Sequence, residues 1–195
     1  MLTMSAQTAK AEQTYYLYAK ISNSAPTAMT LVCATSMPSE SGYTFTKYDG
    51  NGAYWNDDFN GTVLSITTDV SCRNYDGSSL GYFIYNFKEL TSVDVSNLNT
   101  ANVTNMECMF CYCPKLTTIN FGDGTYFKTD NVETMRSMFS DSKALTSLDL
   151  SGWNTAKVTT MKEMFSICQD LTTLRFYGKE KQEKRERTDG TCHKL

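Results

Sequence analysis

Apolar positions recur in the same order three times between Leu90 and Phe176. Each copy opens with a spaced apolar run: Leu90, Val93 and Val95, then Leu116, Ile119 and Phe121, then Leu145, Leu148 and Leu150. In the first copy Ser92 and Asp94 fill the gaps, so the run predicts a short strand with those two side chains pointing out. A polar turn follows, from Ser96 to Asn102. Then Val103, Met106, Met109 and Phe110 fall at i, i+3, i+6 and i+7, which predicts one face of a short helix. Thr104 is placed to cap it. Val132, Met135, Met138 and Phe139 repeat the pattern, as do Val158, Met161, Met164 and Phe165. The starts at 90, 116, 145 and 171 are separated by 26, 29 and 26 residues. A period in this range is the sequence signature of a solenoid, in which each coil buries its apolar face on the next.

The flanks behave differently. Stepping back 26 residues from Leu90, Met106, Met109, Phe110 and Cys113 lands on Leu64, Leu80, Phe83, Ile84 and Phe87. All are apolar, so residues 64–89 read as a degenerate first coil. Residues 12–63 carry no repeat. Tyr15 to Ile21, Ala28 to Ala34 and Tyr43 to Tyr48 read as strands, with turn chemistry at Ser22 to Pro26 and at Asp49 to Asp58. This segment predicts a β-rich cap covering the first coil. Residues 1–11 end in Ala9-Lys10-Ala11, a small-x-small pattern of the kind signal peptidase cleaves. They read either as the end of a signal peptide that began further upstream or as an ordinary frayed N-terminus. Residues 179–195 carry six Lys/Arg against four Asp/Glu with little to bury. They read as a solvated helical or disordered extension.

The expected fold class is therefore an α/β solenoid of coils of about 26 residues, each a short strand plus a short helix, with an N-terminal β-rich cap. Its parts are a signal remnant (1–11), the cap (12–63), the solenoid (64–178) and the charged tail (179–195). Within the solenoid lie the degenerate coil 64–89, the repeats 90–115, 116–144 and 145–170, and a partial copy 171–178.

Composition narrows the functional classes. An apolar content of 41% supports a packed core, and a net charge of −3 gives no electrostatic grip on nucleic acid. No apolar run is long enough to span a bilayer. The single histidine, His193, is the third-last residue, which removes most histidine base and metal chemistry. Seven cysteines at irregular spacing do not match a dense disulfide scaffold.

Candidate chemistry is sparse. Cys108-x-x-Cys111-x-Cys113 has a metal-like spacing, but a zinc site needs a fourth ligand and none is near. Cys113 is instead a repeat position in register with Ser142 and Cys168. A disulfide between Cys108 and Cys111, or between stacked cysteines, is compatible with export but is not assigned. The run Asp49 to Asp58 fails the calcium-loop pattern, with Ala53 at position five and Tyr54 at position six. The methionine pairs at 106/109, 135/138 and 161/164 have Phe beside each pair and read as core. No cofactor or metal is expected. An enzyme would need a perturbed carboxylate pair at Asp94 and Asp149, with Asn120 between them.

The repeat pattern L-T-S-L-D-L-S-x-W/F-N-T-x-x-V-T-x-M-x-x-M-F-x-x-C-x-x-L resembles that of the BspA-like family of bacterial leucine-rich repeat surface proteins. Leu145 to Leu171 is the best copy, with Trp153 at the aromatic position and Cys168 at the cysteine position. The first copy has Leu98 and Cys113 there. The middle copy has Ser142, and its turn between Gly122 and Asn131 is three residues longer. The resemblance covers residues 64–176. It implies a curved solenoid, export to the cell surface or medium, and adhesion to host or bacterial proteins; known members bind extracellular-matrix proteins.

The expectation that follows is a secreted or cell-surface protein, not an enzyme, that binds a protein partner. The partner is expected on the concave sheet face, along the columns Ser92, Thr118, Ser147, Thr173 and Asp94, Asn120, Asp149, Arg175. Tyr126 and Phe127, in the lengthened turn, either form an exposed aromatic anchor or fold down onto Trp153. The alternative is a spacer arm of a longer surface protein with no ligand of its own.

Overall fold

The computed structural model describes residues 14–48, 59, 61–177 and 184–187. The expected signal remnant at 1–11 and the turn at Asp49 to Asp58 lie outside the described residues. Three N-terminal strands, β1 (Tyr16–Ser22), β2 (Ala28–Ala34) and β3 (Tyr43–Lys47), form an antiparallel unit with β1 in the middle. Alternation sets the buried face: Leu17, Ala19 and Ile21 from β1, and Met29, Leu31 and Cys33 from β2. This unit is continuous with the repeats. β2 pairs in parallel with β4 (Ser65–Thr68), which continues to β5 (Ser92–Asp94) and β6 (Thr118–Asn120). The result is one mixed sheet in the order β3-β1-β2-β4-β5-β6. A second sheet holds β7 (Ser147–Leu150), β8 (Thr173–Tyr177) and β9 (Lys184–Arg187), with β7 and β8 parallel and β9 antiparallel. Residues 184–187 thus form a strand, not the helical or disordered extension expected of the tail.

The expected α/β solenoid of strand-plus-helix coils is overturned. The fold is mostly β with almost no helix, and the only helical segment among the described residues is a five-residue 3-10 turn, Val70–Asn74. The Met-x-x-Met-Phe segments are not helices, and Thr104 caps none. Their backbone turns out of the right-handed region twice per copy. Tyr82 and Asn86, Cys108 and Tyr112, Ser137 and Asp141, Glu163 and Ile167 all have φ between 53° and 65°. A helix would satisfy each N–H within its own segment. Here alternate N–H groups reach the next copy instead. Those of Met106, Cys108, Phe110 and Tyr112 donate to the carbonyls of Thr134, Arg136, Met138 and Ser140 at 2.8–3.0 Å. The intervening N–H groups close tight turns, as Met109 to Met106 and Cys111 to Cys108, each at 3.3 Å. Parallel bridges Ser79–Asn105, Asn105–Thr134 and Thr134–Thr160 carry this turn ladder through four copies.

The apolar face keeps its burial under this different backbone. Phe110, Phe139 and Phe165 stack with centroids 5.6 Å apart and planes within 5°. Cys113, Ser142 and Cys168 form a buried column in register. Each donates to a carbonyl of the preceding copy: Cys113 to Ile84 at 3.2 Å, Ser142 to Phe110 at 2.8 Å, Cys168 to Phe139 at 3.0 Å. Thr100 and Thr129 are likewise buried and donate forward, to the carbonyls of Lys128 and Asn154. The repeat's polar letters therefore satisfy backbone groups between copies, as buried polar groups must.

Two registers differ from the sequence reading. β4 pairs with β5 at an offset of 27, Ser65 to Ser92 and Ile66 to Val93. Val63 therefore takes the slot of Leu90 and is fully buried, while Leu64 is 43% exposed. The turn ladder keeps the offset of 26, so the extra residue lies in the stretch that forms the 3-10 turn. In the middle copy, Phe127 is the register equivalent of Leu98 and Trp153. It is buried, with its ring 5.8 Å from Trp153 and 4.9 Å from Phe121. The strand ladder breaks after this copy, since β6 and β7 belong to separate sheets.

Two stability predictions follow from this packing. Ser142→Cys is expected to stay within about 0.5 kcal/mol of wild type, because its register neighbours are cysteines making the same bond, whereas Ser142→Ala leaves the Phe110 carbonyl unpaired and costs about 1–3 kcal/mol. Urea unfolding midpoints distinguish the two. Gly122 has φ +73°, and an added Cβ would come within 2.9 Å of Ser96 Cβ and 3.2 Å of its Cα. Gly122→Ala is expected to cost about 1–3 kcal/mol, whereas Gly152→Ala, where a Cβ meets nothing within 4 Å, serves as the mild control in the same titration.

Candidate binding faces

The outer face of the six-stranded sheet carries the columns expected from the sequence, and register extends them into the N-terminal strands. Phe45, Lys20, Thr30, Thr67, Asp94 and Asn120 form one row across β3, β1, β2, β4, β5 and β6. Ser65, Ser92 and Thr118 form a neighbouring row. In the second sheet Ser147 pairs with Thr173 and Asp149 with Arg175. The structure brings Ser92, Asp94, Thr118 and Asn120 together, and separately Ser147, Asp149, Thr173 and Arg175. No strand ladder joins Thr118 to Ser147 or Asn120 to Asp149.

The acidic and amide groups of these columns have local work. Asp94, Asn120 and Asp149 each accept the N–H two residues on, from Ser96, Gly122 and Ser151, all at 2.9 Å. These Asx turns end each strand. Asn120 Nδ2 also donates to Asp94 Oδ2 at 2.8 Å. Burial raises the Asp94 carboxyl, but the hydrogen bonds from Ser96 and then Asn120 outweigh it and hold it below the usual carboxylate range. The Ser151 hydrogen bonds lead in lowering Asp149; burial opposes them and Arg175 adds to them. The Arg175–Asp149 pair is 3.6 Å long and half exposed, so it adds little to stability.

The lengthened turn divides its two aromatics. Phe127 is core, as described. Tyr126 is half-buried, and the Arg73 guanidinium lies 4.7 Å from its ring centroid. Its carbonyl accepts the Thr100 N–H at 3.1 Å. The extra residues are thus pinned against the preceding copies.

A surface that the sequence reading missed lies on the turn ladder. Tyr82, Tyr85 and Tyr112 form an edge-to-face row with centroids 5.5 and 5.6 Å apart. Tyr82 is 36% and Tyr112 43% exposed. Lys88 stands over the Tyr112 ring at 5.9 Å, and the Tyr82 hydroxyl donates to Glu107 at 3.4 Å. The left-handed turns place Tyr82 and Tyr112 outward. Read as helix, the same stretch drew attention to Phe83 and Ile84 instead. The available signal was the cluster of three tyrosines at positions where no other copy carries an aromatic residue.

The six described cysteines are free thiols. Among the described residues no group of three or more His, Cys, Asp or Glu is placed to hold a metal ion. Met106, Met109, Met135 and Met138 are fully buried. No helix among the described residues is long and apolar enough to cross a membrane.

Comparison with known proteins yields one family. No curated protein and no solved structure matches the chain. The match spans residues 78–181, just over half of the chain, and covers the turn ladder from Ser79 through Thr160. It corrects the resemblance to the BspA-like leucine-rich repeat proteins, because the matching family is a different one. The chain belongs to the family described as Mycoplasma protein of unknown function, DUF285.

Proposed function

We propose that this chain is an exported, non-catalytic protein that binds an extracellular protein partner. The observation that carries the reading is the tyrosine row, with Tyr82 and Tyr112 exposed and Tyr85 half-buried between them, bounded by Lys88 and Glu107. Tyrosine offers a large rigid contact with a polar tip, and such residues dominate binding energy at protein interfaces. The row sits on a backbone fixed at every second residue by the turn ladder, so little order is lost when a partner docks. Catalysis is not part of the reading: Asp94 and Asp149 lie in separate sheets, and each is tied into its own Asx turn. Export rests on the small-x-small pattern at Ala9-Lys10-Ala11.

A second reading, a spacer arm without a ligand, is favoured by one observation. The repeated polar letters bond between copies, which makes a stiff stack whether or not anything binds it. Retention of the full chain on a panel of immobilised extracellular-matrix proteins separates the two. Under the binding reading, wild type is retained on at least one of them, and the double variant Tyr82→Ser, Tyr112→Ser loses about tenfold or more in affinity at an unchanged unfolding midpoint. Asp94→Asn and Asp149→Asn keep the Asx bond that Asn120 already makes, so they report on the sheet face without disturbing its turns. Their binding is expected to stay within about threefold of wild type. Absence of wild-type retention across the panel would sink the binding reading in favour of the spacer.

A further inference from the structure

Cys108 and Cys111 stand in a turn whose sulfurs no role above uses. The Cys111 N–H donates to the Cys108 carbonyl at 3.3 Å, and Cys108 has φ +53°. A four-residue turn holds its ends within about 7 Å between Cα atoms. A disulfide spans about 4.4–6.8 Å. The two thiols lie close enough to shift each other's acidity. The register of the turn ladder shows what these slots usually hold. The other copies carry Tyr82 and Tyr85, Ser137 and Ser140, and Glu163 and Ser166 there. Sulfur fills both slots in this copy alone. Cys113, two residues on, is a different case, since it belongs to the buried column and bonds to Ile84.

The two thiols differ in the way an exchange reaction needs. Cys108 retains 7% exposure at the ladder surface, whereas Cys111 is fully buried. The hydrogen bond from Cys111 holds the Cys108 thiol below its ordinary range; burial and Glu107 oppose this, and Tyr82 and Arg136 assist it. Burial, followed by the neighbouring Cys108 and Glu107, pushes the Tyr82 hydroxyl up to about 12, so it stays a donor. Cys111 is pushed up by donating to Cys108 and by its own burial. A slightly exposed thiol held below its ordinary range beside a fully buried thiol is the asymmetry of an attacking and a resolving cysteine. Cys33 and Cys72 supply an internal contrast. They are also neighbours, but Cys72 is sealed in the core, bonds to the Leu31 carbonyl at 3.2 Å, and is pushed far up by the neighbouring Cys33 and by burial.

We propose that Cys108 and Cys111 form a thiol–disulfide exchange site for low-molecular-weight disulfides. The Cys108 thiolate attacks one sulfur of the external disulfide, breaks its S–S bond and releases one thiolate, which takes up a proton. The Cys111 thiol then loses its proton to solvent and attacks the Cys108 sulfur of the mixed disulfide, expelling the second thiol. In total the protein dithiol is oxidised to a disulfide, and one external disulfide is reduced to two thiols. Serine at the same slots in the next copy, Ser137 and Ser140, shows that single replacement by serine suits this backbone.

The test treats the full chain with glutathione disulfide and follows each cysteine by peptide mass mapping. Wild type is expected to lose two hydrogens between Cys108 and Cys111, in a Cys113→Ser background as well. Cys111→Ser is expected to accumulate one glutathione on Cys108, about tenfold faster than on Cys33, Cys72 or Cys113. In wild type, the pH at which oxidation reaches half its maximal rate should fall below the ordinary thiol range, and Cys111→Ser should move it up. Cys108→Ser is expected to stay unmodified at Cys111. The proposal is overturned if Cys108 reacts no faster than the core cysteines. It is equally overturned if Cys108 stays inert under conditions that modify the chain unfolded in urea, or if wild type keeps a stable mixed disulfide as Cys111→Ser does.

Discussion

Alternate backbone N–H groups of each turn segment have no acceptor inside their own copy, and the rest of the fold depends on where they find one. The next copy supplies it, through bonds such as Met106 to Thr134 and Phe110 to Met138. A buried N–H left unpaired costs about as much as a lost hydrogen bond, so no copy can hold this backbone alone. The eight left-handed residues sharpen the dependence. A non-glycine residue in that region costs about 1–2 kcal/mol, and Ile167, β-branched, is among the least suited to it. Stacking holds them there. The phenylalanine stack and the Cys113–Ser142–Cys168 column complete the core that the ladder brings together.

The same constraint explains how the sequence could be right about the repeat and wrong about its backbone. Val103, Met106, Met109 and Phe110 share one stripe on a helical wheel, and they are indeed buried. Periodicity reports which residues face the core, not which hydrogen bonds the backbone makes. The letters that would have marked the left-handed turns are absent. None of the eight is glycine, and only Asn86 and Asp141 are of a type enriched there. The strands were legible because alternation and β-branched residues mark them directly, as in β2. The slip from Leu64 to Val63 came from a single extra residue in the degenerate copy, where no consensus letters survive to fix the offset.

The candidate faces were legible in a similar, partial way. The two sheet columns could be read from alternation alone, because outward residues of paired strands must align. Their division between two sheets could not, since the outward residues alternate in the same way on both sides of the break. Phe127 shows the risk of reading an insertion by its contents. Counting three extra residues placed it in the loop, while matching the following Lys128-Thr129 to Asn154-Thr155 places it in the core slot beside Trp153. The tyrosine row escaped because the helix assumption sent attention to the neighbouring apolar residues.

Repetition itself sorts the side chains. A residue that recurs at the repeat spacing is bound by what all copies share, and here that is stacking: Thr100 and Thr129, Asp94 and Asp149, Cys113 and Cys168 each bond to a turn or to an adjacent copy. A residue that breaks the pattern is released from that duty. Tyr82 and Tyr112 stand out as the aromatic residues of a ladder whose other copies carry Cys108, Ser137 and Glu163, or Asn86, Asp141 and Ile167, in the matching turns. Cys108 and Cys111 are likewise departures, in slots filled by serine, glutamate or tyrosine elsewhere. Tyr126, under Arg73, belongs to the extra residues of the middle copy. In a stacked repeat the consensus therefore describes the scaffold, and the chemistry open to a partner or a reagent gathers at the departures from it.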